Sequence, residues 1–240
     1  MARNAWSNEN VECMIGGVSN EGLIMGYYFG VMNDFSALTM LQDSKYFAPL
    51  IETGFSADDP RSVEFGKILK QTYYGCTQPS KSNIEGYFSF AGDYFFWHGI
   101  QRAALVRATR SKAKTFVYRY DVLTKLNYFK SFSKSENYPG TEHGADFCYL
   151  FKGNYMDPPA IDSIEFENVK KIVDIFTSFA ISGNPNCNQF NELWKPIDSI
   201  EIPLQVMNIG TDKCEFIDLP ETERLIVWDK IFKDAGVDLF

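Results

Sequence analysis

Pro139-Gly140-Thr141-Glu142-His143-Gly144-Ala145-Asp146-Phe147-Cys148-Tyr149-Leu150-Phe151 places one of the chain's two histidines in a glycine-flanked turn ahead of an aromatic run. Gly140 and Gly144 give the backbone around His143 room to orient the ring. An imidazole titrates near neutrality, which suits a group that takes a proton from a hydroxyl nucleophile and returns it to a leaving alcohol. Upstream, Met14-Ile15-Gly16-Gly17-Val18-Ser19-Asn20-Glu21-Gly22 runs an apolar, strand-like stretch into a carboxylate. Glu21 in that loop would orient the imidazole and stabilise imidazolium without itself taking the proton. The order is acid before histidine, and the nucleophile that completes such a set comes earlier still. No Gly-x-Ser-x-Gly and no His-Gly-Gly stretch occurs in the 240 residues. Two members of a triad are thus legible and the third is absent.

Seven segments carry a wider likeness. They are Met14 to Gly17 with Ser19-Asn20-Glu21-Gly22; Gly92-Asp93-Tyr94 opening a helix; Phe116-Val117-Tyr118-Arg119-Tyr120; His143-Gly144; Phe179 to Gly183-Asn184-Pro185-Asn186; Trp194-Lys195-Pro196; and Arg224 to Trp228. In this order the chain resembles the type-B carboxylesterase family, which includes the cholinesterases. The aromatic-rich style and the lack of a cysteine beside Asp93 resemble arthropod carboxylesterases more than vertebrate cholinesterases.

The resemblance implies an α/β fold of the α/β-hydrolase type. The chain would be the C-terminal portion of the sheet with helical insertions, and the N-terminal half would be missing. Residues 1–240 would form a partial hydrolase domain, with 22–90 a mostly helical excursion over the site. The implied reaction is hydrolysis of a small-molecule carboxylic ester through an acyl-enzyme. Glu21 and His143 would be the catalytic acid and base, the serine and oxyanion hole would be absent, and no cofactor would be required. The missing half would be the structural partner, and the chain alone would be inactive.

Read without the resemblance, His143 would be a surface histidine and Glu21 a solvated turn carboxylate; the ordered motifs reverse that preference. Ser19 lacks the second glycine of a strained nucleophile elbow and is read as a hydrogen-bonding residue of the acid loop that supports the pair. Asp146, three residues past His143, is read as supporting the histidine from behind, with a solvated or helix-capping role as an equal rival. Asp93 resembles a buried structural aspartate of the family, and His98 reads as a packing histidine outside the pocket. The alternative to an enzyme is a non-catalytic, esterase-like binding or adhesion protein, and retention of both Glu21 and His143 leans against it.

Composition narrows the remaining classes. Hydrophobic residues make up 45% and charged residues 22%, ordinary globular usage. Net charge is -8, and the densest basic cluster, Arg102, Arg107, Arg110, Lys112 and Lys114, is spread around a helix instead of forming a stripe. Nucleic acid and anionic membranes are therefore poor partners. Cys13, Cys76, Cys148, Cys187 and Cys214 are odd in number with no C-x-x-C pair, which argues against a disulfide framework, and two histidines argue against a zinc site. Residues 1–14 contain no apolar signal region, and no run is long enough to span a membrane. With the true N-terminus expected to be missing, the sequence assigns no compartment.

Residues 11–19 read as a buried parallel strand, and such strands present chemistry at their carboxyl ends. Asp58 and Pro60 mark a helix start, Asp93 an N-cap for a helix bearing Phe96, Ile100, Ala103 and Ala104, and Asp162 with Glu165 a capping box. Thr115 to Tyr120 is a strand, 123–139 a polar loop, and Leu204 to Ile217 an edge hairpin turning at Gly210-Thr211-Asp212. With half a sheet missing, Met14, Ile15, Phe116 and Val117 are expected to lose partners, so that the chain would aggregate or oligomerise through strand edges.

Overall fold

The computed structural model describes residues 11–154, 156–188, 190, 192–198 and 202–238. The reading of residues 1–14 as lacking a signal region thus lies largely outside the described residues. Strands β1 (Cys13–Val18), β2 (Thr115–Asp121), β3 (Gln205–Gly210) and β4 (Cys214–Asp218) form one sheet in the order β1-β2-β3-β4. The first three are parallel, with Met14 opposite Phe116 and Val18 opposite Tyr120, and β4 returns antiparallel to β3 as the hairpin expected.

Successive side chains on a strand point to opposite faces, and here each face has its own apolar cluster. Ile15, Val117, Val206 and Ile217 pack on one side with Leu23, Leu69, Phe88, Leu105 and Trp228 from helices. Met14, Phe116, Tyr120, Met207 and Phe216 pack on the other with Ile172, Ile175 and Trp194. The sheet is therefore a middle layer covered on both faces, the arrangement that β-branched and aromatic runs such as Thr115 to Tyr120 require.

Between β1 and β2 the chain contains no strand. It forms α1 (Gly22–Tyr28), α2 (Ser36–Met40), α3 (Leu50–Thr53), α4 (Pro60–Tyr74), α5 (Glu85–Gly92) and α6 (His98–Arg110). α4 starts on Asp59, whose carboxylate accepts from Arg61 N, with Pro60 in the first turn where a missing N–H costs nothing. α1 and α5 approach so closely that a Cβ on Gly22 would fall 1.8 Å from the Phe88 carbonyl oxygen, a contact only glycine permits. After β2 come α7 (Tyr128–Ser133), α8 (Phe147–Leu150) and α9 (Ile164–Ser182), and α10 (Thr222–Asp234) follows the hairpin.

Four expectations are corrected. Asp93 does not open a helix: α5 continues through a π-helical turn, Asp93–Trp97, directly into α6. Asp93 is 1% exposed inside that run and bound to Arg224, so its helix-capping pattern was a buried ion pair's carboxylate. α9 is capped by Ser163, whose hydroxyl accepts from Phe166 N, and not by Asp162; Glu165 instead accepts from Lys125 N. The polar stretch 123–139 contains α7, held by contacts that local periodicity does not encode. Lastly, Phe116 and Val117 do not lack partners: both are buried, Phe116 against Phe179 and Trp194, because residues after β2 fold back over the sheet. The two edge strands stay partly covered, with Met14 and Ile15 of β1 and Phe216 and Ile217 of β4 half-buried.

Trp194 owes its place to the Asn184-Pro185-Asn186 segment. Asn186 accepts from Trp194 N at 2.8 Å and donates to its carbonyl at 2.9 Å, clamping the indole under the sheet. Among the cysteines, Cys148 and Cys214 are buried and Cys76 is exposed. Among the described residues no helix is long and apolar enough to cross a membrane, and no three metal-ligating side chains cluster.

Candidate active site

Glu21 is the N-cap residue of α1, three residues beyond the end of β1. It is 4% exposed, and a carboxylate so buried needs partners for both oxygens. Oε1 accepts from Val18 N at 2.8 Å; Oε2 lies 2.6 Å from Nδ1 of His143. Gly17 makes room for this: a Cβ there would sit 2.8 Å from Oε1 and force the carboxylate aside. Trp97, from the π-helical turn, donates its indole N–H to the Val18 carbonyl at 3.1 Å and fixes the same strand end. π-helical turns recur where a helix must re-aim side chains at a functional site.

His143 is delivered by the loop after α7. Asn20 donates to Thr141 O from its backbone at 2.9 Å and to Pro139 O from its side chain at 2.9 Å, so acid loop and histidine loop are sewn together. Gly140 takes φ +84° at the point where a Cβ would meet Asn20 at 2.8 Å, and both demands select glycine. Glu142 is fully buried and accepts from Lys130 N at 3.1 Å, anchoring the histidine loop to α7. The imidazole itself is 49% exposed, and the Phe96 ring packs on it at 4.7 Å between centroids. With Nδ1 given to the carboxylate, Nε2 is left without a hydrogen-bond partner among the described residues.

Hydrogen bonding to Glu21 raises the His143 pKa above the usual 6.5, against the lowering effect of burial; the charges of Glu21 and Asp146 add to the rise. Since the folded value is the higher one, the contact contributes stability that is fully present below the unfolded pKa and is lost as pH rises through the folded pKa. Glu21→Gln should therefore return the His143 titration toward the ordinary value. Imidazole 15N chemical shifts followed with pH read this directly, and a titration unchanged by the substitution would contradict the contact.

The other sequence-derived residues fall as follows. Ser19 joins the site from the acid loop: its Oγ donates to Asp121 at 2.5 Å and accepts from Thr141 N at 2.8 Å. Asp146 makes no hydrogen bond to His143; it accepts from Phe147 N at the start of α8, and burial followed by the Glu21 charge pushes its pKa up. His98 bonds to Asp229 at 2.8 Å and packs on Trp228 and Phe232, separate from the Glu21–His143 pair. Of Phe147, Tyr149 and Phe151, only Tyr149 is buried, because the segment is a helical turn and not an alternating strand.

Phe96, Trp97, Gly17 and Glu142 were not singled out for these roles by sequence. The unbroken Tyr94-Phe95-Phe96-Trp97 run was the available signal, since four successive aromatics cannot all lie on one helical stripe. Glu142 offered no signal beyond its place next to His143.

The pair sits at the carboxyl end of a parallel strand in a sheet with apolar clusters on both faces, and comparison with known proteins gives the family of the chain. A model of the carboxylesterase family matches residues 1–228. The chain belongs to the carboxylesterase family. It is 31% identical over 236 residues to esterase B1 of Culex pipiens, covering 97% of this chain and 43% of the relative. It is 24% identical over 204 residues to a carboxylic ester hydrolase of Bombus ignitus, covering 84% and 36%. The crystal structure of juvenile hormone esterase from Manduca sexta superposes with a TM-score of 0.75 at 20% identity, over 94% of this chain and 42% of that one. The carboxylesterase chain thus has the α/β-hydrolase fold and spans less than half the length of these relatives.

Proposed function

We propose that this carboxylesterase chain is the C-terminal part of a hydrolase domain acting on small-molecule carboxylic esters. In this reading His143 is the general base and then the general acid of an acyl-enzyme reaction, and Glu21 is its orienting carboxylate. The observation that carries the proposal is the 2.6 Å contact between Glu21 Oε2 and His143 Nδ1. That contact fixes the tautomer: Nδ1 carries the proton toward the carboxylate and Nε2 offers its lone pair outward. A serine whose hydroxyl met Nε2 would lose its proton to it on attacking the ester carbonyl. The imidazolium would then return the proton to the departing alkoxide, and backbone N–H groups would hold the oxyanion.

Serine and oxyanion donors would come from residues outside these 240. The helices of 22–90, which follow the acid loop in the chain, would form a cover over the site. Phe96 packs on the histidine ring, and the exposed Phe95 beside it in the chain stacks on exposed Phe29, an apolar surface on which an ester substituent could rest. A buried carboxylate held on a half-exposed imidazole leans against a binding or adhesion protein. The transcript sequence upstream of Met1 tests the reading. A Gly-x-Ser-x-Gly in frame supports it; a complete reading frame without one would leave the pair without a nucleophile and overturn it.

A further inference from the structure

We propose that Arg119, acting with Asp121 and Ser19, is a positioning residue that sets the separation of Glu21 from His143. The proposal rests on the reading of that pair as acid and base. Arg119 stands near the carboxyl end of β2 and is 14% exposed at its side chain. Its Nε donates to Glu221 Oε1 at 3.1 Å, just ahead of α10, and its Nη1 to Asn208 on β3 at 3.1 Å. Its Nη2 donates to the carbonyl of Ser19 at 3.3 Å.

Asp121, whose Oδ2 lies 3.7 Å from Nη1, accepts from Ser19 Oγ at 2.5 Å, and the same Oγ accepts from Thr141 N at 2.8 Å. One guanidinium therefore reaches β3, the start of α10 and the acid loop, and through Asp121 and Ser19 it reaches the histidine loop.

An ion pair that only stabilised the fold would be complete with Glu221. Here the planar fork is used in three directions, which a lysine ammonium on its flexible stem cannot reproduce. Only Asn20 stands between Ser19 and Glu21, so a shift of the Ser19 carbonyl is passed to the carboxylate almost undiminished. Behind the acid, a cavity of about 250 Å³ lies among Glu21, Asp93, Arg119, Glu221 and Arg224. Glu221 is buried and its Oε2 has no partner there. On the side of this cavity the acid loop is held by hydrogen bonds, while Gly22 packs closely on Phe88 on another side.

The experiment is an imidazole 15N titration of the intact chain, which has only two histidines. His98, tied to Asp229, reports whether the fold is kept; His143 reports its distance from Glu21. The charged groups bearing on His143 are Glu21 and Asp146. In Arg119→Met the His143 pKa should fall toward the ordinary value of about 6.5 while the His98 ring resonances keep their wild-type positions at a fixed pH. The sign discriminates, because a purely electrostatic role would give the reverse: removing a nearby positive charge raises a histidine pKa.

Arg119→Lys, which keeps the charge and loses the fork, should fall as Met does. A His143 titration that is unchanged or raised in Arg119→Met, with His98 intact, overturns the proposal. If Arg119→Met loses the His98 signature, Ser19→Ala decides: a lowered His143 pKa supports the clamp and an unchanged one refutes it. No ester is needed, so failure here is distinct from failure of the esterase reading, which would appear as absent hydrolysis by a longer protein carrying this chain behind a Gly-x-Ser-x-Gly segment, with the titrations as described.

Discussion

Purified by itself, the 240-residue chain should turn over a chromogenic ester no faster than buffer does. Loss of the nucleophile alone costs roughly a million-fold in kcat in a serine hydrolase, and the remaining acid and base have nothing to activate. Ser19 is the serine nearest in sequence to the acid, and its position explains why it cannot substitute. Its Oγ is committed to Asp121 and to Thr141 N, on the backbone of the histidine loop instead of at Nε2. It also lacks the glycine on its far side that a nucleophile elbow needs. A stoichiometric burst of product, with an organophosphate labelling a serine within the chain, would overturn this expectation.

The second large effect concerns the buried pair that takes the place of the expected helix cap. Arg224 on α10 donates to Asp93 from Nε at 2.6 Å and from the guanidinium end at 3.2 Å. Tyr73 of α4 donates to the same carboxylate at 2.7 Å, and Trp228 donates its indole N–H to the Tyr73 hydroxyl at 2.7 Å. Three elements, α4, the π-helical turn and α10, therefore meet on one carboxylate.

Removing one partner of a buried pair strands the other, at a cost of about 3–5 kcal/mol, whereas whole domains are stable by only about 5–15 kcal/mol. Arg224→Met should lower the unfolding free energy by roughly that 3–5 kcal/mol, read as a lower urea midpoint by circular dichroism. A midpoint within error of the wild type would show that Asp93 is stable without the arginine.

Much of this was readable from the chain because its signals were local. The β-branched and aromatic run of Thr115 to Tyr120, the Pro60 start of α4, the Gly183 stop of α9 and the turn at Gly210-Thr211-Asp212 are each properties of a few consecutive residues. The Glu21–His143 pair was legible for a different reason: a carboxylate after an apolar strand and a histidine between glycines keep the order of a known triad.

Tertiary partners made the rest illegible. Asp93 has the look of an N-cap because both caps and buried ion pairs use a carboxylate, and only Arg224, 131 residues away, distinguishes them. The path from Arg119 to Ser19 spans 100 residues, beyond the reach of any local pattern. The cover over Phe116 is likewise non-local, since Trp194 arrives from a segment whose own sequence shows no periodicity. Half-buried Met14 and Ile15 keep the edge of β1 as the place where strand-to-strand association would begin.

The most direct test of the account is made on a longer protein in which this chain follows a segment bearing Gly-x-Ser-x-Gly, by measuring ester hydrolysis with and without His143→Ala. If His143 is the base held by Glu21, kcat should fall by about four to six orders of magnitude while organophosphate labelling of the serine is lost in parallel. Hydrolysis and labelling that persist at the wild-type rate in His143→Ala would contradict it.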